Sequence, residues 1–495
     1  MTSLVGRAAL LAATLAIAGP ATGVSATGRG GEPAPNLVLV VADDWSWPHA
    51  GVYGEPGIRT PAFDRLARRG ALYREAFAPS PVDSPSRAAI LTGRAPHSLG
   101  DAANDESRFP DSVATYPDLL AAAGWFVGSD GEGWSAAPLD PSEQDPVGPS
   151  WGSFEAFLSA RPASKPFAFW HGSGHPRRPY PEGAGRAAGK RRDDAPSPRE
   201  LPDLPEVRED LLGYVAAVEA FDREVAGILR SLDERALGPR TLIVVTSDNG
   251  MPFPRAKADV YDAGTHVPLV IRDPEAFLRG RVLPDLVELT DLAPTFLEAA
   301  GIAVPPGTNG RSLRDALRER PYVPATAAFL ERERRLDARK GGLGYPVRAV
   351  RTKDFLYVRN LRPGRWPLGD PPAGADAGSG FADVDPSPTK SVLLARRDDA
   401  KVARFYRRAF LRRPLEELYD LTSDPSQLVD VAALPKYEKA LAGLRGKLAT
   451  WMAETHDPRA GEQPEQWPEG DGPVDAWDLA PTRAGQPDPG GKRSP

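Results

Sequence analysis

The stretch Asp83-Ser84-Pro85-Ser86-Arg87-Ala88-Ala89-Ile90-Leu91-Thr92-Gly93-Arg94 organises the chain. Pro85 and Ser86 read as a helix start, because the N–H groups of a first turn have no helical partner and proline is tolerated there. Ala88 to Leu91 continue as a short apolar helix that Gly93 stops. A helix start presents free N–H donors and the positive end of the helix dipole, which suits an anionic group. Arg87 brings a cationic fork to the same place. A buried helix start with a surface arginine is the plainer alternative.

Working outward, Asn36-Leu-Val-Leu-Val-Val-Ala42 is a continuous apolar, β-branched run. Such a run predicts a central parallel strand buried on both faces. Asp43 and Asp44 follow at its C-terminal end, where open α/β sheets place their ligands. Adjacent carboxylates repel, so the pair either caps a turn or holds a hard cation. Thr241 to Thr246 is a second strand of the same texture, with Asp248 and Asn249 just past it. Two such strand ends meet only if the strands are neighbours in one sheet.

The remaining elements follow the same logic. Thr60-Pro61 opens a helix ending at Gly70; Tyr116 to Ala123 is another; Gly124 to Gly128 and Pro166 to Trp170 predict strands. Leu211, Tyr214, Val215, Val218, Val225, Leu229 and Leu232 recur at helical spacing, so a long helix covers one sheet face. Glu182 to Pro205 is polar and reads as a surface loop. From Val347 the pattern alternates, with Leu415 to Tyr419 as a further strand and Leu434 to Glu454 as an amphipathic helix. The expected organisation is a first α/β domain over 27–335, a smaller α+β subdomain over 336–458, and a disordered tail over 459–495.

A length of 495 residues, 41% hydrophobic and 26% charged, predicts a globular protein with sizeable cores. A net charge of −6 argues against nucleic acid as a partner. The apolar run Ala8 to Ala18, preceded by Arg7 and followed by Val24-Ser25-Ala26, reads as a signal peptide over 1–26 rather than a persistent membrane span. Export to the periplasm or the extracellular space is therefore expected. With 0 cysteines there are neither disulfides nor thiolate metal sites.

The Asp83–Arg94 stretch closely resembles the signature of the sulfatase family, in which a Cys or Ser is followed by any residue, Pro-Ser-Arg, three residues and Leu-Thr-Gly. The resemblance runs from about Asn36 to His456. It is nearest to the heparan N-sulfatase branch, through Thr246 to Pro254, Tyr261 to Pro268, Glu417 to Asp420 and Glu454 to Pro458. It implies an alkaline-phosphatase-like fold, a mostly parallel sheet flanked by helices, and a calcium site, with magnesium the less favoured ion. Carried over by position, Asp43, Asp44, Asp83, Asp248 and Asn249 match the metal ligands. Arg87 supports the metal site, and Lys257 matches a cationic catalytic and sulfate-binding residue. A sulfated glycan or another small anionic ligand is the implied partner. A homo-oligomer is the alternative to a monomer.

The family oxidises the first signature residue to formylglycine, and Asp83 cannot follow that route, so no formylglycine is expected. The family's Gly-Lys-x-His segment reads Gly131-Glu132-Gly133-Trp134, and its Pro-His-Arg segment reads Pro176-Arg177-Arg178. Arg177 and the nearby His175 are then the candidate substrate contacts. The reading that follows is a metal-binding sulfatase-family protein with little or no turnover. An active hydrolase of sulfate or phosphate esters with a rebuilt, aspartate-containing site is the alternative, and a purely structural partner of another exported protein is a third.

Overall fold

The computed structural model describes residues 34–105, 107–135, 145–276, 279–335, 338–372 and 380–461. The expected signal peptide and all of the expected tail beyond residue 461 lie outside them. Among the described residues no helix is long and apolar enough to cross a membrane.

Seven strands form the first sheet: β1 (Asn36–Ala42), β2 (Ala71–Phe77), β3 (Phe126–Gly131), β4 (Phe167–Gly172), β5 (Thr241–Ser247), β6 (Leu269–Arg272) and β7 (Arg281–Glu288). Their order is β3-β4-β1-β5-β6-β2-β7. All neighbours are parallel except β6, which runs antiparallel to both β5 and β2. β1 pairs in register with β5 from Asn36↔Thr241 to Ala42↔Ser247. The two acidic strand ends are thus brought side by side.

The alternation along β1 shows why the run had to be apolar throughout. Val38, Val40 and Ala42 enter the core beneath the long helix Pro205–Glu234, with Leu211, Val218 and Phe221. Leu37, Leu39 and Val41 enter the opposite core, with Ile90 and Leu91 of the helix Asp83–Thr92 and with Phe296. Each such side chain contributes about 1.5–3 kcal/mol when fully buried. A polar substitution on either face would therefore be costly.

The helix that opened the sequence reading starts at Asp83, two residues earlier than expected, after an extended Val82 (φ −140°, ψ 141°). Asp83 thus sits in the first turn, where a carboxylate meets free N–H groups. Gly93 ends the helix at φ 69°, and a Cβ there would meet Thr308 Cγ2 at 2.8 Å.

The second sheet is antiparallel, in the order β11-β10-β9-β8, with β8 at Ala328–Arg332, β9 at Val347–Arg351, β10 at Phe355–Asn360 and β11 at Glu416–Asp420. It starts before the 335/336 division. The sequence reading also passed over two helices, Pro388–Ala395 and Ala403–Phe410, which send Leu393, Phe405 and Phe410 back into the core under the long helix. The units therefore interlock. Arg459, expected at the head of the tail, is buried and paired with Glu333 at 2.7 Å. The same polar cluster ties Arg348 to Glu333 (2.6 Å) and Asp457 (2.6 Å), and joins His97 to Glu331 and to the Thr455 carbonyl. The segment after Glu182 also packs more closely than its charge suggested. Lys190 donates to the Gly57 carbonyl at 3.0 Å and pairs with Glu219 of the long helix, which draws the charge run inward.

His266 is buried between aromatic faces, stacked on Trp47 (4.4 Å) and Phe77 (4.7 Å), with Nε2 donating to the Arg74 carbonyl. Burial lowers its pKa from 6.5 to about 4. The unfolded chain then takes up a proton that the folded chain refuses. Its stabilisation is complete above pH 6.5 and is lost as the pH falls towards 4. His266→Phe keeps the stack and should flatten the fall in melting temperature over that range. Identical slopes in the variant and the wild type would refute the assignment.

Candidate metal centre and cleft

The C-terminal ends of β1 and β5 and the first turn of the helix Asp83–Thr92 converge on one point. Asp43, Asp44, Asp83 and Asp248 each offer a carboxylate oxygen, all within 4.8 Å of one another, and all four residues are buried. Local backbone geometry builds this cluster. Asp44 adopts φ 80°, a strained value for a non-glycine residue, and its N–H donates to Asp248 Oδ1 at 3.2 Å. Trp45 N–H donates to Ser247 Oγ at 2.8 Å, which fixes the turn after β1. Ser86 Oγ donates to the Asp248 carbonyl at 2.5 Å and locks the helix onto β5.

Two buried cations face the cluster. Arg87 pairs with Asp248 (2.8 Å) and Asp43 (3.0 Å). Lys257 lies 2.7 Å from Asp44 Oδ1 and 2.7 Å from Asp83 Oδ1. Burial raises the pKa of Asp43 well above the ordinary value, and Asp83, Asp248 and Asp44 add to the effect. Burial likewise pushes Asp44 up to about 7, against the pull of Lys257. For Asp83 burial acts upward too, but Lys257, Arg87 and Arg335 outweigh it and hold the carboxyl ionised, well below the usual range. The site therefore carries more negative charge than its own cations balance.

The donor set fits a hard cation. Asp43 Oδ1, Asp44 Oδ2 and Asn249 Oδ1 are buried and accept no hydrogen bond among the described residues. Asn249 spends its amide N–H groups on Asp44 Oδ1 (2.7 Å) and the Gly250 carbonyl, so its oxygen is left as a buried acceptor. Buried acceptors left without partners are costly, and an oxygen-coordinated cation would satisfy all three at once.

A cleft of about 350 Å³ opens over Asp83 and Lys257. Arg177 lines it and reaches Asp43 (3.3 Å) and Glu132 (3.1 Å). Glu132 also faces Arg87 at 3.3 Å, so it ties both arginines. Trp134 is buried against Phe109 at 5.4 Å. His175 does not line the cleft; its Nδ1 meets Glu224 of the long helix at 2.9 Å. Among the lining residues that sequence reasoning missed are Asp105, Arg335 and Asp385. Asp105 accepts from Ser84 Oγ (3.0 Å), and Arg335 reaches Asp385 at 2.7 Å. Only the charge run Glu331 to Arg335 hinted at any of them; Asp105 and Asp385 lie in loops with no pattern to mark them.

Removing Arg87 would leave two buried carboxylates without their main counter-charge. Arg87→Met should cost about 3–5 kcal/mol in chemical unfolding. A loss below about 1 kcal/mol would mean that Lys257 balances the cluster alone.

Comparison with known proteins places these features in a family context. A family model described as Sulfatase matches residues 35–137 and 153–302. Human N-sulphoglucosamine sulphohydrolase is 31% identical over 475 residues, spanning 86% of this chain and 91% of its own length. Among solved structures, one in complex with its substrate D-glucosamine-2-N,6-O-disulfate superposes with a TM-score of 0.59 at 19% identity, over 88% of this chain and all of its own. The phosphonate monoester hydrolase of Agrobacterium radiobacter gives 0.60 at 19%, over 85% and 96%.

Proposed function

This chain belongs to the sulfatase family, and we propose that within it the protein is an exported, calcium-binding member with little or no sulfatase turnover. One observation carries the reading: cations suited to gripping a sulfate group are held by this chain's own carboxylates. Asp83 takes Lys257, and Glu132 takes Arg177 and part of Arg87.

The charge balance supports it. Asp43, Asp44, Asp83 and Asp248 face Arg87 and Lys257, four carboxylates against two cations, so a divalent ion would bring the centre to neutrality. Where the family has a neutral formylglycine, the same centre would stay cationic and attract a dianion. Asp83 removes that attraction, and Glu132 sets a negative charge where the family has a lysine. Trp134 supplies no proton to a leaving group. A coordinated metal would act as a Lewis acid towards an anion in the cleft. Asp43, Asp44, Asp83, Asp248 and Asn249 would hold it, and their carboxylate-rich, all-oxygen set suits calcium better than magnesium. Arg177 and Arg335 line the cleft but are paired with Glu132 and Asp385, so an anionic sugar would bind there only weakly, with sulfated glycans the class suggested by kinship.

Two measurements test this. Chelation of the purified protein should lower its melting temperature, since an ion held at about 100 times its Kd stabilises the fold by ~2.7 kcal/mol. An unchanged melting temperature would remove the metal site. Aryl sulfate, aryl phosphate and glucosamine N-sulfate should not be turned over with calcium present. Asp83→Cys, even when converted to formylglycine, should stay nearly inactive, because Glu132 and Trp134 remain. Turnover by the unmodified protein that Asp83→Asn abolishes with metal still bound would establish the aspartate-containing hydrolase instead.

A further inference from the structure

A second cavity, of about 270 Å³, shares no lining residue with the cleft over Asp83. Its walls continue from the turns that carry the metal-centre donors: residues 46–49 follow Asp44, and Met251 follows Asn249. The segments 196–200, 261–263 and 425–427 supply much of the remainder.

Several lining side chains are buried yet incompletely paired. His49 is 4% exposed. Ser46 N–H donates to the Tyr214 hydroxyl at 3.2 Å, and that hydroxyl, with one proton left to give, meets His49 Nδ1 at 3.0 Å. The ring proton of His49 therefore sits on Nε2, which has no partner among the described residues. Burial lowers the pKa of this imidazole from 6.5 to about 4 and so keeps it neutral. Gln427 accepts the Asp262 N–H at Oε1 (2.9 Å) and leaves its amide nitrogen unpaired. His266 gives Nε2 to the Arg74 carbonyl and leaves Nδ1 unpaired.

We propose that this cavity binds a neutral, hydroxyl-rich small molecule about the size of one sugar ring, at a site separate from the cleft over Asp83.

Three features support it. A hydroxyl both donates and accepts, so a polyol can answer the His49 and Gln427 donors and the His266 acceptor together, whereas an anion could answer only the donors. Buried polar groups left unpaired are costly, which gives such a ligand its purchase. Second, the charge at the wall balances. Glu55 and Glu200 face Arg199 and Arg255, while Asp262 is neutralised by Arg351 at 3.0 Å. Nothing there favours a sulfate over a neutral group. Third, Trp47 and Tyr261 add aromatic surface to a cavity at the small end of ligand sites, which run from about 300 Å³ upward. Aromatic wall and scattered polar groups suit a ring whose C–H faces are apolar and whose edge is hydroxylated.

The test uses the full chain with glucose and N-acetylglucosamine as neutral probes, followed by saturation-transfer NMR and calorimetry, and glucosamine N-sulfate as the anionic comparison. A neutral sugar should bind with a Kd of roughly 1 mM. Excess glucosamine N-sulfate should not displace it. Ser197 is exposed and lines the cavity, so Ser197→Trp should fill the space and abolish binding while circular dichroism stays unchanged. Glu200→Gln and His49→Phe should each weaken binding roughly 2–10-fold, the share of one hydrogen bond. Glu200 is only half-buried, so its variant and Ser197→Trp test the site even if His49→Phe fails to fold. No transfer to either neutral sugar, binding unaltered by Ser197→Trp, or displacement by the N-sulfate overturns the proposal. These readouts need neither turnover nor bound metal, so they stand apart from the question of sulfatase activity.

Discussion

Four buried carboxylates gathered where β1 and β5 end are the constraint on which the rest of the structure depends. Like charges in a dry interior repel strongly, and they persist only where counter-charges are fixed around them. Arg87 is fixed by a helix with every residue buried, and Lys257 by the loop after β5. The register of β1 against β5 sets how closely the carboxylates approach. The strain at Asp44 is offset by its backbone bond to Asp248. Sheet, helix and loop are all arranged around one electrostatic problem.

The cleft above the cluster holds two opposite charges that depend on one another. A glutamate at position 132 would be an unbalanced charge beside Asp43 without an arginine at 177 to meet it. The two positions are 45 residues apart and meet at 3.1 Å. Each of the two charges is thus held in place by the other.

Much of this was legible in the sequence. The runs at Asn36 and Thr241 announced buried parallel strands because no polar face was left to expose. The acidic residues beyond them could only meet if those strands paired, as they do. The helix Asp83–Thr92 was readable from its stop at Gly93, though its first turn began earlier because an extended Val82 supplies the entry. What escaped were contacts without local pattern. Asp105 is held by Ser84 across 21 residues, and Asp385 by Arg335 across 50. The helices Pro388–Ala395 and Ala403–Phe410 were missed because their apolar faces answer to a core built by residues nearly 200 positions earlier. His175, which would need a loop shift to reach the cleft, turns to Glu224, because chain proximity to Arg177 says nothing about which way an imidazole turns.

The cluster joining His97 to Thr455 limits when folding can finish. The His97 contact to Thr455 spans 358 residues, and Arg348 meets Asp457 across 109. A growing chain cannot close that cluster until residue 457 has been made. The pairing of β1 with β5 already has to wait across about 200 residues. Contacts so distant in sequence are slow to form, because chain entropy is surrendered before any of them repays it. The molecule therefore reaches its final form only after Asp457 has been made, however early the first sheet pairs.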